Sequence, residues 1–167
     1  ALPICREARV EAELGAPIAE RFAAFDAEPI AAASLAQVHG ARLPDGRPVA
    51  VKVQVPGIDE VVRADVAALG ILAGALGDLV PGDLGAIAAE LGRALTGELD
   101  YVAEAAAGAE VAPTLAGTAL FVPTVEAAHS TARVLTTDRV DGRRLTEALD
   151  GADRAERTRL LRALCDG

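Results

Sequence analysis

The stretch Arg47-Pro-Val-Ala-Val-Lys-Val-Gln54 decides how the chain is read. Val49, Val51 and Val53 alternate with Ala50, Lys52 and Gln54, the two-residue period of a strand. The valines therefore share one face and Lys52 points to the other. Val55 continues the valine face, and Pro56-Gly57 ends the strand. Lys52 is the only lysine; every other member of the 16 Lys+Arg is arginine. A composition rich in Ala, Gly, Arg and Pro would exchange a lysine needed only for surface charge. Arginine presents a wide planar fork, lysine a compact point charge on a slim stem. A site that needs one ammonium group against a phosphate or carboxylate keeps lysine. Taken alone, the position is explained equally well by a lysine snorkelling from a strand edge.

Upstream, Leu35 to Leu43 alternates apolar and polar residues, and Pro44-Asp-Gly46 is a tight-turn signal, so the two strands form a hairpin. Further back, Leu2 to Leu14 has helical spacing with Gly15 as its stop. Pro17 starts a second short helix with Ile18, Phe22 and Phe25 on one face, and Asp26-Ala-Glu-Pro29 breaks it. A short strand begins at Ile30. Downstream, a long helix is predicted over Asp59 to Leu79, with Pro81-Gly82 as punctuation. Asp83 caps a further helix running to about Val111, its register bringing Leu91, Leu95, Glu98, Tyr101 and Ala105 towards one side. Ala119 to Val125 and Thr131 to Thr137 read as two more strands. Asp141-Gly142 is a turn, and the remainder is helical, with Leu160, Leu161 and Leu164 on one face of Arg154 to Cys165.

The 167 residues suffice for one domain with a real core. A formal charge of −9 argues against a nucleic-acid partner held by phosphate neutralisation. Cys5 and Cys165 stand near opposite ends, which favours unpaired thiols in a reducing compartment over a disulfide or metal site. The start, Ala1-Leu-Pro-Ile-Cys-Arg-Glu7, lacks the basic and apolar regions of a signal peptide. The uncharged run Val66 to Gly77 is well short of the ~20 residues of a spanning helix. His39 and His129 have no partner at catalytic or metal spacing, and the arginines between Arg133 and Arg144 read as solvated surface. The last predicted helix ends with nothing following it, so the chain is expected to be a fragment of a longer protein.

Five strands, a long helix after the third and a lysine on that third strand match the small-lobe plan of protein kinases. Val49-Ala-Val-Lys52 is close to the Val-Ala-Ile-Lys signature. The usual glycine-rich loop is absent; in its place stands Ala31-Ala-Ala-Ser-Leu-Ala-Gln-Val38, with Ala31, Ala33 and Ala36 at the glycine positions. Three strings occur in order: Pro29-Ile-Ala-Ala-Ala-Ser-Leu-Ala-Gln-Val-His39, then Val49 to Gly57, then Glu98-Leu-Asp-Tyr-Val-Ala-Glu-Ala105. With Leu2-Pro3, Phe25-Asp26 and Val134-Leu-Thr-Thr-Asp-Arg-Val-Asp-Gly142, they resemble the UbiB family of atypical protein-kinase-like proteins across nearly the whole chain.

The resemblance implies an α+β fold: a kinase-like small lobe with a five-stranded antiparallel sheet and inserted helices. Residues 1–28 would form an N-terminal helical extension, 29–138 the lobe, and 139–167 the hinge and start of a large lobe. It implies that Lys52 contacts nucleotide phosphates and pairs with Glu104, and that Glu98 and Asp100 form an acidic E-x-D pair facing the nucleotide. Ala31, Ala32, Ala33, Ser34, Leu35, Ala36 and Val38 would cover the nucleotide, with Ala50 beside Lys52. Thr137 would stand at the gatekeeper position, with Asp138 and Val140 as hinge residues meeting adenine. A lysine in a low-dielectric cleft needs a carboxylate beside it, and breaking a fully buried pair costs roughly 3–5 kcal/mol. Glu98, Asp100 and Glu104 read without the resemblance as the solvated face of an ordinary helix.

The implied cofactor is ATP or ADP, with Mg2+ expected only alongside a large lobe carrying the catalytic loop and D-F-G. The implied partners are an adenine nucleotide and a membrane surface or lipid or quinone-pathway component, in the cytoplasm or at the membrane periphery. Such a protein would be an atypical kinase or ATPase linked to isoprenoid quinone biosynthesis or lipid metabolism, this piece being inactive alone. A non-catalytic pseudokinase or partner-binding module and a conventional kinase are the alternatives. The alanine loop argues against the latter. The sequence departs from the family pattern at Ala107, where asparagine is usual, and in lacking the upstream K-x-G-Q segment.

Overall fold

The computed structural model describes residues 4–77 and 82–165. The expectations for Leu2-Pro3, Leu79 and Pro81, and for the Cys5 and Cys165 thiols, fall outside what is described. The elements in order are α1 (Ile4–Leu14), α2 (Ile18–Arg21), β1 (Ala24–Ala32), β2 (Ala36–Arg42), β3 (Pro48–Gln54), α3 (Ile58–Leu76), α4 (Leu84–Gly97), α5 (Tyr101–Val111), β4 (Val134–Asp138), α6 (Leu145–Asp150) and α7 (Arg154–Cys165). Short 3-10 turns at Ala112–Leu115 and Ala127–His129 complete the order. The four strands make one antiparallel sheet in the order β1-β2-β3-β4.

The valine alternation sorts the two faces of this sheet. Val49, Val51 and Val53 are buried and pack with Val134, Ala41 and Leu43 against Val10 and Leu14 of α1 and against Phe22. β-Branched side chains fit a pleated, covered surface, so this stripe gives β3 its strand preference and supplies the main core. On the opposite face Ala36, Leu135 and Tyr101 form a smaller cluster, joined by Ala105 of α5. The sheet thus lies between α1 on its valine face and α5 on its Lys52 face.

Four strands are present where five were expected. Ala119 to Val125 is not a strand; it touches the sheet through a single bridge from Val125 to Thr137. Two backbone bonds, Glu126 N–H to the Thr136 carbonyl and Asp138 N–H to the Thr124 carbonyl, both 2.9 Å, hold it to β4. Pro123 has no N–H to extend that ladder. Conversely, the stretch read as a helix end and breaker is strand: β1 begins at Ala24, inside the expected helical extension, and α2 ends at Arg21. Phe25 therefore lies on a strand rather than on the helix face with Ile18. This edge strand has register irregularities on both sides of Pro29, and most of it is exposed. Proline and bulges are tolerated at edges, and they erase the alternation that marks a strand.

The single helix expected from Asp83 to Val111 is two. The Asp83 carboxylate caps α4 by accepting from the Ala86 N–H at 2.8 Å. The Asp100 carboxylate then caps α5, accepting from Val102 and Ala103 N–H at 3.1 and 3.0 Å. A side-chain acceptor for free N-terminal amides favours a new helix start over continuation. α3 and α4 pack as a hairpin; a Cβ on Gly92 would come within 2.9 Å of Val66 Cγ1, so only glycine permits this approach. Gly57 enters α3 with φ of 77°, which glycine adopts without strain.

Candidate functional site

β3 and α5 meet at Lys52. The Lys52 ammonium donates to both Glu104 oxygens, at 2.9 Å (Oε1) and 2.7 Å (Oε2). The same nitrogen lies 4.6 Å from the centroid of the Tyr101 ring. Tyr101 opens α5 and Glu104 follows one turn later, so both fall on the side of the helix that faces β3. Tyr101 is 1% exposed. Its hydroxyl is held above the ordinary tyrosine range, first by burial and then by the negative charges of Glu104 and Glu98. The ammonium is gripped on two sides, by a carboxylate and by an aromatic face.

The pair is not deeply buried. The Lys52 and Glu104 side chains are 28% and 46% exposed. Water screening at that exposure limits the contribution to stability to about 1 kcal/mol or less. The 3–5 kcal/mol of a fully buried pair does not apply, and the ammonium stays partly open to solvent beside Glu104.

The sheet register places the other residues singled out from the sequence. Val38 and Leu135 stand opposite Lys52 on the neighbouring strands, and Ala50 stands opposite Thr137. Residues directly opposite share a face, so Val38, Ala50, Lys52 and Thr137 line one surface. Ala31 and Ala32 end β1 and Ala36 begins β2. Ala33-Ser34-Leu35 is the turn between them, closed by the Ala33 N–H to Ala36 carbonyl bond of 2.8 Å. Its non-glycine residues all keep negative φ.

Some predicted site residues stand apart. The Asp100 carboxylate is engaged in capping α5. Glu98 is the C-cap of α4 and pairs with no cation among the described residues. Asp138 is opposite Val49, near the Arg47 guanidinium at 3.8 Å, and Val140 lies exposed beyond β4. Arg47 also binds Glu126 and Asp45, which raise its already high pKa further, and in turn its side chain and backbone N–H hold the Asp45 carboxyl below the usual carboxylate range. A cavity of about 570 Å³ lies between α3 and α4 and touches the predicted site residues only at Asp100. Among the described residues no three His, Cys, Asp or Glu side chains gather as metal ligands, and no helix is long and apolar enough to cross a membrane.

Sequence reasoning missed two contributors. The sequence puts Tyr101 in a helix register but not against Lys52; an aromatic three residues before the pairing glutamate is the available signal. Gln54 lies two residues from Lys52 on the same strand face, yet is 1% exposed. A polar residue following the strand alternation into a covered position was its signal. His39 is buried with Nδ1 2.9 Å from the Asp26 carbonyl and its ring stacked on Phe25, a structural role. Arg133 departs from plain solvated surface by tying Glu13 of α1 to Asp59 of α3 at 3.3 and 3.4 Å.

Comparison with known proteins gives a consistent result. Residues 6–166 match the ABC1 atypical kinase-like domain. A chloroplastic, uncharacterised aarF domain-containing protein kinase of Arabidopsis thaliana is 39% identical over 145 residues, 84% of this chain and 21% of that protein. A probable protein kinase UbiB of Marinobacter nauticus is 35% identical over 141 residues, 80% of this chain and 25% of that protein. The solved structure of the Mycobacterium tuberculosis protein Rv3197 in complex with erythromycin superposes with a TM-score of 0.81 at 34% identity, covering 94% of this chain and 40% of that one. The chain thus spans a quarter or less of the length of these two curated relatives. A match over nearly all its residues, with a kinase-like small-lobe sheet and helices, shows that the chain belongs to the ABC1 atypical kinase-like family, whose members it matches include proteins named UbiB.

Proposed function

We propose that this chain is the adenine-nucleotide-binding lobe of a UbiB-type atypical kinase or ATPase. The observation that carries this reading is the Lys52–Glu104 pair, closed at 2.7 Å and partly exposed between β3 and α5. A carboxylate that orients a lysine towards a cleft is what phosphate contact requires in kinase lobes. The surface next to it suits a base: Val38 and Ala50 are small and apolar, and Thr137 adjoins them with Asp138 and Val140 continuing the chain. The alanine turn at Ala31 to Ala36 would cover the phosphates. The lobe would serve a protein acting in isoprenoid quinone biosynthesis or lipid metabolism, the reading that the UbiB relationship favours. We assign no residue of this chain to a magnesium ion.

Calorimetric titration of ATP and ADP into a protein carrying this lobe and a large lobe tests the reading. Lys52→Ala is expected to weaken binding. Lys52→Arg is also expected to weaken it, because a planar fork does not replace a point charge at one slot. Unchanged affinity in Lys52→Ala removes Lys52 from the nucleotide site.

A further inference from the structure

Helix α5 carries Glu104, so whatever fixes its first turn decides whether Lys52 has a partner. Three polar contacts meet there. Gln54 Nε2 donates to the Leu99 carbonyl at 2.6 Å and lies 3.4 Å from the Ala132 carbonyl. The Tyr101 N–H donates to the same Ala132 carbonyl at 3.4 Å. Leu99 is the last residue but one before α5, in the break that Asp100 caps. One side-chain amide on β3 therefore ties together the α4–α5 junction and the segment leading into β4.

The arrangement is asymmetric in a telling way. Gln54 is 1% exposed and its Oε1 has no hydrogen-bond partner among the described residues. The opposite amide orientation would set Oε1 against two carbonyl oxygens, so the hydrogen-bond pattern itself fixes Nε2 on that side. A buried amide that satisfies only its donor half is costly as a packing element. An apolar residue would fill the position without that cost. What an apolar residue lacks is the donor aimed at the root of α5.

We propose that Gln54 is a positioning residue that latches α5 against β3 and so keeps Glu104 on Lys52. Lys52 and Gln54 act as a pair on one strand face, the first holding the helix through Glu104 and the second through the Leu99 carbonyl. The proposal concerns the geometry of the site and rests on the nucleotide-binding reading only for its effect on affinity.

The chain offers two built-in probes: a single lysine and a single tyrosine, with no tryptophan. Lys52 reactivity towards an amine-acylating reagent, read by peptide mass spectrometry, reports the Glu104 pairing. Acrylamide quenching of tyrosine fluorescence reports the burial of Tyr101. Gln54→Met keeps length and approximate volume but removes the donor; Gln54→Leu removes it with a branched apolar side chain. Both variants are expected to raise the Lys52 acylation rate by about tenfold, the scale of one lost hydrogen bond at a buried carbonyl, and to raise quenching with it. Phe22→Leu serves as the control, because it loosens the other face of the sheet without emptying it and is expected to leave Lys52 labelling within about twofold of the parent.

Parent-like labelling and quenching in Gln54→Met overturn the proposal and leave Gln54 a packing residue. An equal rise in Phe22→Leu also overturns it, since general loosening then explains the effect. If Gln54→Met fails to fold, Gln54→His, which retains a ring N–H donor, decides: labelling as fast as in Gln54→Leu overturns the latch, and labelling nearer the parent supports it. Nucleotide titration of the same variants is a separate reading. Raised labelling without any nucleotide binding in the parent would sustain the latch while removing the proposed function.

Discussion

Glu104 closes on Lys52 at 2.7 Å from 52 residues away in sequence, joining the third strand of the sheet to the helix packed on its Lys52 face. The contact is long-range and partly wet. Its energetic signature is therefore small. Glu104→Gln is expected to lower unfolding free energy by about 1 kcal/mol or less, measured by urea denaturation. A loss above about 3 kcal/mol would mean that the pair behaves as a buried one.

The valine face carries the stability. Phe22 is 2% exposed and packs between α1 and the sheet. Phe22→Ala is expected to cost about 3–5 kcal/mol in the same denaturation experiment. A cost below about 1 kcal/mol would show that α1 and α2 do not contribute to one core with the strands.

The α3–α4 crossing depends on one missing side chain. Gly92→Ala places a methyl 2.9 Å from Val66 Cγ1 and is expected to destabilise by about 1–3 kcal/mol. Val66→Ala in the same chain opens the space and is expected to recover much of the loss, a coupling that a double-mutant cycle measures. Additive effects would mean that the helices do not touch at this point.

Tyr101 makes the site visible to pH. Its hydroxyl titrates above the ordinary tyrosine value of about 10, because burial and then Glu104 and Glu98 oppose the phenolate. A group whose folded pKa is raised stabilises the fold fully below its unfolded pKa. That stability is lost as pH rises through the folded value. Phenolate absorbance in the parent is thus expected to appear later than in the unfolded chain, and Glu104→Gln to bring it earlier. A midpoint at the ordinary value would place Tyr101 in water.

The parts of this molecule legible in the sequence are those set by strong local chemistry. The valine alternation of β3, the Pro44 to Gly46 turn and the lone lysine fixed one hairpin and the face that matters. The parts that were not legible depend on tertiary context. β1 is an alanine-rich edge strand broken by Pro29, so it lacks the alternation that marks a half-buried strand. Ala119 to Val125 has strand composition but Pro123 and exposed Phe121, and it forms only one bridge. The α4–α5 break hid because helical register runs through Glu98 to Tyr101. Only the capping geometry of Asp100 separates the two helices. The Tyr101 and Gln54 contacts follow from that break, which is why periodicity alone did not reveal them.

The central claim is that Lys52 faces nucleotide phosphates, and a crystal structure of the lobe with a non-hydrolysable ATP analogue tests it most directly. The expected result is a phosphate oxygen within hydrogen-bond reach of Lys52 Nζ, with the phosphates under the Ala31 to Ala36 turn and adenine against Val38, Ala50 and the Thr137 to Val140 segment. Analogue bound elsewhere on the lobe, with Lys52 held only by Glu104 and Tyr101, would contradict it.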